Sequence, residues 1–170
     1  MPVDAARFRE VFGSFPTAIA VVTATAEDGR PRGFTCNAVS AVSIEPPLLL
    51  ICVDKRSQTL SALRASRSFV VNVLAEGGQD AARVFAGRSD DKFADVRWVP
   101  SDVSDGAPVL LDLTLAYAEC VVVRAVEAGD HWIFIGRVDG AESFPRSPVL
   151  YHQGAFSVWE TQARQAGSRP

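Results

Sequence analysis

The chain has 170 residues, of which 48% are hydrophobic and 22% are charged, and its net charge is −3 at pH 7. This composition is typical of one globular domain with a hydrophobic core, and it offers no basic surface for nucleic acid. No apolar run approaches the roughly 20 residues that span a bilayer, and the first residues lack the basic start and apolar stretch of a secretion signal, so we expect a cytoplasmic protein without a membrane partner.

The order of apolar and polar residues predicts mostly strands. In chain order, the pattern predicts a helix over residues 4–12, strands over 18–26, 33–40 and 48–53, a helix over 57–66, a strand over 69–74, a helix over 79–85, a polar surface loop over 88–105, long strands over 113–128 and 131–141, and a short strand over 156–159. Asp4 and Ser57 can cap the first two helices, and the continuous apolar run 48–53 is typical of a strand buried on both faces. Residues 161–170 are polar, so we expect a frayed tail after one domain of residues 1–160.

Strands outnumber helices in this pattern, and tight turns join most neighbouring strands. This favours a mainly β fold, an antiparallel barrel with short peripheral α-helices. A barrel also closes the edges that such apolar strands would otherwise expose to aggregation.

The motifs of common catalytic sites are absent from the sequence. It has no Gly-rich dinucleotide or phosphate loop, no GxSxG elbow and no HExxH helix. Cys36, Cys52 and Cys120 form no CxxC pair, and only His131 and His152 could join them, so we expect structural thiols and no metal site. A bound cofactor can carry chemistry that needs no catalytic side chain.

Three polar clusters interrupt the apolar strands. Residues 35–40 alternate so that Thr35 and Asn37 share one side, although a solvated strand face would look the same. Residues 54–59 lie between a strand and a helix start, which attracts phosphate, although plain capping beside solvated cations explains them as well. The third cluster begins at Gly129-Asp130-His131, which alone is only a hairpin turn with a histidine on its exit strand.

Eight segments in a fixed order add a stronger signal than any one cluster. They are Phe15-Pro16-Thr17 with Ala20-Val21-Val22-Thr23; Gly33-Phe34-Thr35 with Asn37 and Ser40; Pro46-Pro47-Leu48; Ser57-Gln58-Thr59; Phe69-Val70-Val71-Asn72-Val73-Leu74; Phe85-Ala86-Gly87 with Asp91-Lys92-Phe93; Gly129-Asp130-His131; and Pro148-Val149-Leu150-Tyr151 with Gly154. In this order the chain resembles the flavin reductase family from about Phe8 to Trp159. The resemblance implies the antiparallel FMN-binding split β-barrel of that family, which includes the reductase components of two-component flavin-dependent monooxygenases.

The resemblance also implies an activity. Family members transfer a hydride from NADH or NADPH to a flavin, here FMN with FAD as the alternative, and they need no catalytic side chain because both reactants carry the chemistry. Reduced flavin would pass to a partner monooxygenase, and the chain would form a homodimer with the flavin near the subunit interface. The main alternative is a flavin-binding electron carrier or sensor without turnover. An FMN enzyme acting on a small organic substrate and a purely structural barrel are further alternatives.

Individual site residues follow from the resemblance. The residues expected to bind the flavin are Pro16, Thr17, Thr35, Cys36, Asn37, Ala38, Ser40, Lys55, Ser57, Thr59, Phe85, Lys92 and Phe93. The residues expected around the nicotinamide are Gly129, Asp130, His131 and Tyr151. The segment 35–40 would follow the flavin ring and ribityl chain, and the segment 55–59 would hold the phosphate. The family commonly has Thr-Ala-Asn-Ser-Phe where this chain has Thr35-Cys36-Asn37-Ala38-Val39. Since Ala38 lacks a hydroxyl, a contact there would need backbone groups.

Overall fold

The computed structural model describes residues 1–159, so both the expected tail over 161–170 and the expected domain end at residue 160 lie outside the described residues. Three short helices lie within this range: α1 (Ala5–Gly13), α2 (Leu60–Ser66) and α3 (Gln79–Ala86). The predicted cap of α1 is confirmed, because the backbone N–H of Arg7 donates to Asp4 Oδ1 at 2.8 Å. Each helix in residues 1–159 is too short or too polar to cross a membrane.

Strands form most of the rest of the chain. In chain order they are β1 (Thr17–Ala18), β2 (Ala20–Thr25), β3 (Pro31–Cys36), β4 (Val39–Ser43), β5 (Leu48–Asp54), β6 (Ser68–Leu74), β7 (Val99–Pro100), β8 (Pro108–Val109), β9 (Thr114–Ala128), β10 (His131–Ser143), β11 (Val149–His152) and β12 (Ala155–Val158). Seven of them form one antiparallel sheet in the order β3-β2-β6-β9-β10-β5-β4. A small sheet, β1-β11-β12, and the two-stranded β7-β8 are the other sheets within residues 1–159.

The seven-stranded sheet curls until its two edges meet. Its outer strands, β3 and β4, are consecutive in the chain and only Asn37 and Ala38 separate them. Since three residue steps span at most about 11 Å, the two edges cannot be farther apart than this. Cys36 Sγ lies 3.7 Å from the carbonyl oxygen of Cys52, which brings β3 against β5 at this seam. The antiparallel barrel predicted from the sequence is therefore confirmed.

The prediction of one strand over 33–40 is wrong. β3 ends at Cys36 because the chain then leaves β2 and joins β5, where the N–H of Cys52 donates to the carbonyl of Ala38 at 3.1 Å. The prediction that 48–53 is buried on both faces is also wrong. Within that run only Ile51 and Val53 are fully buried, because neighbouring side chains of a strand point to opposite faces. The sequence pattern also missed β11.

The two largest clusters of buried side chains within residues 1–159 hold the barrel and its peripheral elements together. The larger fills the barrel and includes Ile51, Phe69 and Phe134. The smaller lies beneath α3 and includes Phe85. Gly33 on β3 permits this second cluster, because a Cβ at position 33 would lie 2.8 Å from the Phe85 ring. Phe85 therefore packs directly on β3, beside the polar segment that follows it.

Candidate functional site

The three polar clusters meet at one end of the barrel, around the end of β5. On one side of β5, the carbonyl of Ala38 accepts from the N–H of Cys52. On the other side, His131 on β10 stands opposite Asp54 in the strand register. Since neighbouring strands lie about 4.8 Å apart, the backbones of Ala38 and His131 are on the order of 10 Å apart. Segments that are far apart in the sequence are therefore neighbours here, although Gly129, Asp130 and His131 line none of the three recesses described next.

A continuous groove runs along this end of the molecule and consists of three adjoining recesses. The cationic cleft, of about 240 Å³, is lined by Phe34, Thr35, Asp54, Arg56, Ser57, Gln58, Phe85, Ala86, Gly87, Arg88 and Lys92. The central recess, of about 400 Å³, is lined by Ile19, Thr35, Asn37, Ala82, Arg83, Ala86, Tyr151, Gly154 and Phe156. The aromatic recess, of about 430 Å³, is lined by Phe8, Arg9, Phe12, Gly13, Phe15, Thr17, Asn37, Tyr151, Gln153 and Gly154. Shared lining residues join each recess to the next, so the groove fits a long ligand with an anion at one end.

Lys92 is the buried cation of the cationic cleft. It is 8% exposed, and its ammonium donates to the carbonyls of Phe85 (3.0 Å) and Gly33 (3.2 Å). It forms no ion pair with any residue in 1–159, and burial, with Arg32 nearby, lowers its pKa. A buried charge without a counterion is unfavourable, so this position favours an anion in the cleft. Phe93 packs edge-on against Phe85, with 4.9 Å between the ring centroids, and so holds the Phe85 ring in the wall of the cleft.

Arg56 brings a second cation to the cleft, and Lys55 does not. The guanidinium of Arg56 donates to both oxygens of Asp54, and this contact holds the pKa of that carboxyl well below its usual range. Lys55 points instead toward the turn between β9 and β10, where its ammonium pairs with Glu127 at 2.5 Å. The structure therefore places Lys55 outside the lining of the cleft.

The helix expected to start at Ser57 starts three residues later. Thr59 occupies the capping position of α2 without a side-chain cap hydrogen bond, and Ser57 Oγ instead accepts from the N–H of Thr59 at 3.3 Å within a turn. The prediction that Ser57 caps this helix is therefore wrong, because the turn after β5 uses these residues first. Ser57 still lines the cleft, whereas Thr59 is 2% exposed.

Thr35 and Asn37 share the groove side of their segment, as alternation predicts. Thr35 Oγ1 donates to the carbonyl of Ala82 at 2.6 Å, which ties β3 to α3, and Asn37 is exposed in the central and aromatic recesses. Cys36 points into the barrel core, and burial raises the pKa of its thiol to about 11. Ala38, just before β4, and Ser40, its second residue, are exposed. Only backbone groups of Cys36 could therefore contact a ligand in the groove.

The turn between β9 and β10 carries the predicted Gly-Asp-His segment. Gly129 has φ +59°, which suits glycine in a tight turn, and the Asp130 carbonyl accepts from the N–H of Lys55 at 3.0 Å. His131 Nδ1 and Asp130 Oδ1 lie 2.7 Å apart, and this contact lowers the pKa of the Asp130 carboxyl. The His131 side chain is 42% exposed, so its ring is free to contact a ligand.

Tyr151 lies apart from that turn. It stands opposite Thr17 in the small sheet and lines the central and aromatic recesses beside Asn37. Thr17 Oγ1 is buried there, with no hydrogen-bond partner among residues 1–159, and Pro16 is exposed just before it. The four residues expected around the nicotinamide therefore lie in two places. Gly129, Asp130 and His131 lie in the turn, whereas Tyr151 lies beside Thr17 and Asn37, which were expected to bind the flavin.

Sequence reasoning missed several residues that line the groove. Arg88 directly follows the motif Phe85-Ala86-Gly87, which could have drawn attention to it. Arg83 and Phe156 face the central recess with the guanidinium 5.0 Å from the ring centroid. No sequence signal links these two residues, because α3 and β12 meet only in the folded chain.

Comparison with known proteins decides the family. A family model described as the flavin reductase like domain matches residues 12–160. The chain belongs to this family. Among curated members, it is 42% identical over 157 residues to an NADPH flavin reductase of Lentzea aerocolonigenes, covering 92% of this chain and 91% of that protein. It is 39% identical over 156 residues to HsaB, the reductase subunit of a flavin-dependent monooxygenase of Rhodococcus jostii strain RHA1, covering 91% of this chain and 78% of that protein.

A solved structure of the family has the same fold. The NADH:FAD oxidoreductase SgcE6 of Streptomyces globisporus C-1027, in complex with NAD and FAD fragments, superposes with a TM-score of 0.87 at 40% sequence identity, covering 94% of this chain and 95% of that one. The split barrel of flavin reductases is therefore the fold of this chain as well.

Proposed function

We propose that this protein is an NAD(P)H:flavin oxidoreductase that transfers a hydride from NADH or NADPH to FMN or FAD and delivers the reduced flavin to a partner monooxygenase. One observation carries the proposal: in a chain of the flavin reductase family, the groove joins the predicted flavin segments to a cleft with a buried cation, Lys92, that has no ion partner within residues 1–159. The relatives named NADPH flavin reductase and monooxygenase reductase subunit support it. We place the protein in the cytoplasm, where its three free cysteines stay reduced.

The residues of the groove fit a flavin nucleotide. Lys92, Arg56 and Arg88 would hold the phosphate, because charge-assisted hydrogen bonds to phosphate are strong and the Lys92 ammonium has no counterion among the described residues. Asn37 would face the ring from the central and aromatic recesses. Thr17 would face it from the aromatic recess, where its hydroxyl, without a hydrogen-bond partner among residues 1–159, could find one. The groove thus has a cationic end that suits a phosphate and a second end that suits a planar ring.

The protein contributes position rather than proton transfer. When bound, the flavin supplies the hydride acceptor at N5 for the hydride from C4 of the nicotinamide. β5 lies between the Ala38 backbone and β10, so it fixes the distance between the two sides of the site. The turn at Gly129 places His131 about two strand spacings from Ala38. Holding two planar reactants in register supplies much of the rate acceleration, so no acid or base is required.

Nicotinamide oxidation in the presence and absence of flavin tests this function. The purified protein should oxidise NADH or NADPH at a rate that rises with added FMN or FAD. A protein that binds flavin without turnover, such as an electron carrier or sensor, would bind FMN yet leave the nicotinamide absorbance unchanged. That result would establish the alternative.

His131→Ala should impair nicotinamide use and spare the flavin. The ring stands at the strand end with part of its surface free, so its loss should raise the KM for the nicotinamide and lower kcat/KM about tenfold, which corresponds to a lost contact of about 1.4 kcal/mol. Steady-state kinetics and flavin titration measure the two effects. Glu127→Gln is the control, because it alters the same hairpin without touching the ring. Unchanged nicotinamide kinetics, or a loss of flavin binding, would show that the turn is structural.

We further propose that the protein is a homodimer. Phe8, Phe12 and Phe15 are each about half exposed around α1, whose residues are all exposed or half-buried, and Ile44 beyond the edge strand β4 is 95% exposed. Apolar surface of this kind favours burial against a second copy. The aromatic recess lies on the same surface, so a partner would cover one end of the groove.

Light scattering should show a dimer at micromolar concentration. Phe8→Ser combined with Phe12→Ser should raise the dimer dissociation constant more than about 100-fold, because burying one phenylalanine contributes about 1.5–3 kcal/mol. Val103→Ser, an exposed apolar change elsewhere, is the control. A monomeric wild-type protein with full activity would refute the dimer.

A further inference from the structure

The lining of the cationic cleft includes one carboxylate, which belongs to Asp54. Among the described residues that line the cleft, Arg56, Arg88 and Lys92 carry positive charge and Asp54 alone carries negative charge. An acidic side chain is unfavourable in a site that holds a phosphate, because like charges repel each other at short range. The position of Asp54 therefore affects how firmly the cleft can hold an anion.

Asp54 is the last residue of β5, and its carboxylate occupies one edge of the Arg56 guanidinium. Asp54 Oδ1 accepts from the backbone N–H of Arg56 at 2.7 Å and from its Nε at 3.1 Å, and Oδ2 accepts from Nη2 at 2.6 Å. The Asp54 side chain is 32% exposed, whereas the Arg56 side chain is 78% exposed. An anion that enters the cleft from solvent can therefore reach Arg56, but it meets a guanidinium that already has a partner.

Lys92 and Arg56 thus offer a phosphate different conditions. Lys92 donates to the neutral carbonyls of Gly33 and Phe85 and has no ion partner within residues 1–159. Arg56 is paired with Asp54, and because this contact keeps the pKa of the carboxyl well below its usual range, Asp54 remains charged at neutral pH. A phosphate must either share Arg56 with Asp54 or displace the carboxylate. In both cases the charge of Asp54 opposes phosphate binding.

We propose that Asp54 is a specificity-determining residue that competes with the flavin phosphate for Arg56, and that it thereby lowers the affinity for FMN and FAD without affecting riboflavin. The inference rests on the proposed function, because it takes the cationic cleft as the phosphate site. Lys92 attracts the phosphate, and the pair of Asp54 and Arg56 limits that attraction. The flavin then exchanges with solution, because a lower affinity appears mainly as faster dissociation.

Asp54→Asn tests the inference, because asparagine keeps the shape of Asp54 and an oxygen acceptor for the N–H of Arg56 but removes the charge. Fluorescence titration should show about fivefold tighter FMN binding, the upper range for an exposed ion pair, and unchanged riboflavin binding. Stopped-flow displacement should show slower release of FMN. Asp54→Ser, which also keeps an oxygen acceptor, should repeat the result if Asp54→Asn folds poorly.

Asp139→Asn is the matched control. Asp139 holds Arg137 through a similar contact of both carboxylate oxygens, at 2.6 and 2.8 Å, and its side chain is 29% exposed. This pair lies outside the lining of the groove, so the same change in net charge should leave FMN affinity unchanged. In an Arg56→Gln background, Asp54→Asn should bring no gain, because no guanidinium remains to be released.

Four outcomes would overturn the inference. Weaker or unchanged FMN binding in Asp54→Asn would show that the carboxylate does not oppose the phosphate. Equal tightening of riboflavin would show a general change in the groove. The same gain from Asp139→Asn would show an effect of net charge, and the same gain without Arg56 would show repulsion in place of competition. Because these experiments measure binding without turnover, failure of the reductase activity itself would appear separately, as absent nicotinamide oxidation.

Discussion

Replacing Lys92 with methionine should weaken FMN binding about 100-fold, or about 2.8 kcal/mol, and leave riboflavin binding nearly unchanged. Methionine keeps the unbranched stem but removes the one ammonium that is buried in the cleft. Riboflavin has the same ring and no phosphate, so it does not need the charge. Fluorescence quenching or calorimetry with the two ligands measures the difference.

Lys55→Met is the matched control, because it makes the same chemical change at an exposed lysine. The Lys55 ammonium pairs with Glu127 and lies outside the cleft lining, so FMN affinity should change less than about threefold, as expected for a surface ion pair. Equal losses of FMN and riboflavin in Lys92→Met would show that Lys92 acts only by tying Gly33 and Phe85 together. A larger loss of FMN affinity in Lys55→Met than in Lys92→Met would instead place the phosphate beside Lys55, in the segment 55–59 that the family resemblance implies.

The same lysine should make FMN binding depend on pH. Burial lowers the pKa of Lys92 in the free protein, so its charged form destabilises the fold and stability rises as pH rises through that pKa. A bound phosphate favours the charged form and raises the pKa. FMN affinity should therefore fall as pH rises through the pKa of Lys92 in the complex, whereas Lys92→Met should lack this dependence.

Asn72→Leu should lower the free energy of unfolding by about 3 kcal/mol. Asn72 on β6 is fully buried, and its amide donates to the carbonyl of Val21 (3.2 Å), to Thr23 Oγ1 (3.3 Å) and to the carbonyl of Pro108 (3.3 Å), while its oxygen accepts from the N–H of Leu110 (2.8 Å). Leucine has a similar volume but makes none of these hydrogen bonds, and it leaves the buried N–H of Leu110 without its acceptor. Urea denaturation monitored by circular dichroism measures the loss.

Thr114→Val provides the contrast for Asn72. Thr114 is also fully buried, but its hydroxyl has no hydrogen-bond partner in the described part of the chain, so valine should be neutral or stabilising. If Asn72→Leu unfolded at the same urea concentration as the wild type, the hydrogen bonds of Asn72 would contribute nothing net. A loss at both positions would indicate that packing, rather than hydrogen bonding, decides stability there.

Local signals in the sequence were enough for most elements of the fold. Asp4 stands where a cap is needed, and the glycine of the turn at Gly129 separates two long strands. The division of residues 33–40 could not be predicted, because β3 and β4 differ only in their distant partners β2 and β5. Neither Asn37 nor Ala38 has a property that predicts that the sheet closes between β3 and β4.

The site was predictable by segment and less so by side chain. Alternation correctly placed Thr35 and Asn37 on the groove side. The choice between Lys55 and Arg56 depends on Glu127, which lies 72 residues away from Lys55 and competes for its ammonium. Likewise, the strand partner of Tyr151 is Thr17, a pairing that the local sequence does not reveal. Such choices depend on contacts between segments rather than on residue type.

The seam of the barrel, where β3 lies against β5, links ligand binding to the stability of the fold. Thr35 lies on β3 at one edge of the curled sheet, and Asn37 follows it in the connection to β4, the other edge. Arg56 and Ser57 follow β5, which is the neighbour of β4. A ligand that contacts both groups bridges the seam. We therefore expect binding to stabilise the closed barrel and release to remove that stabilisation. Amide groups near Cys36 and Cys52 should then exchange with solvent more slowly in the bound state.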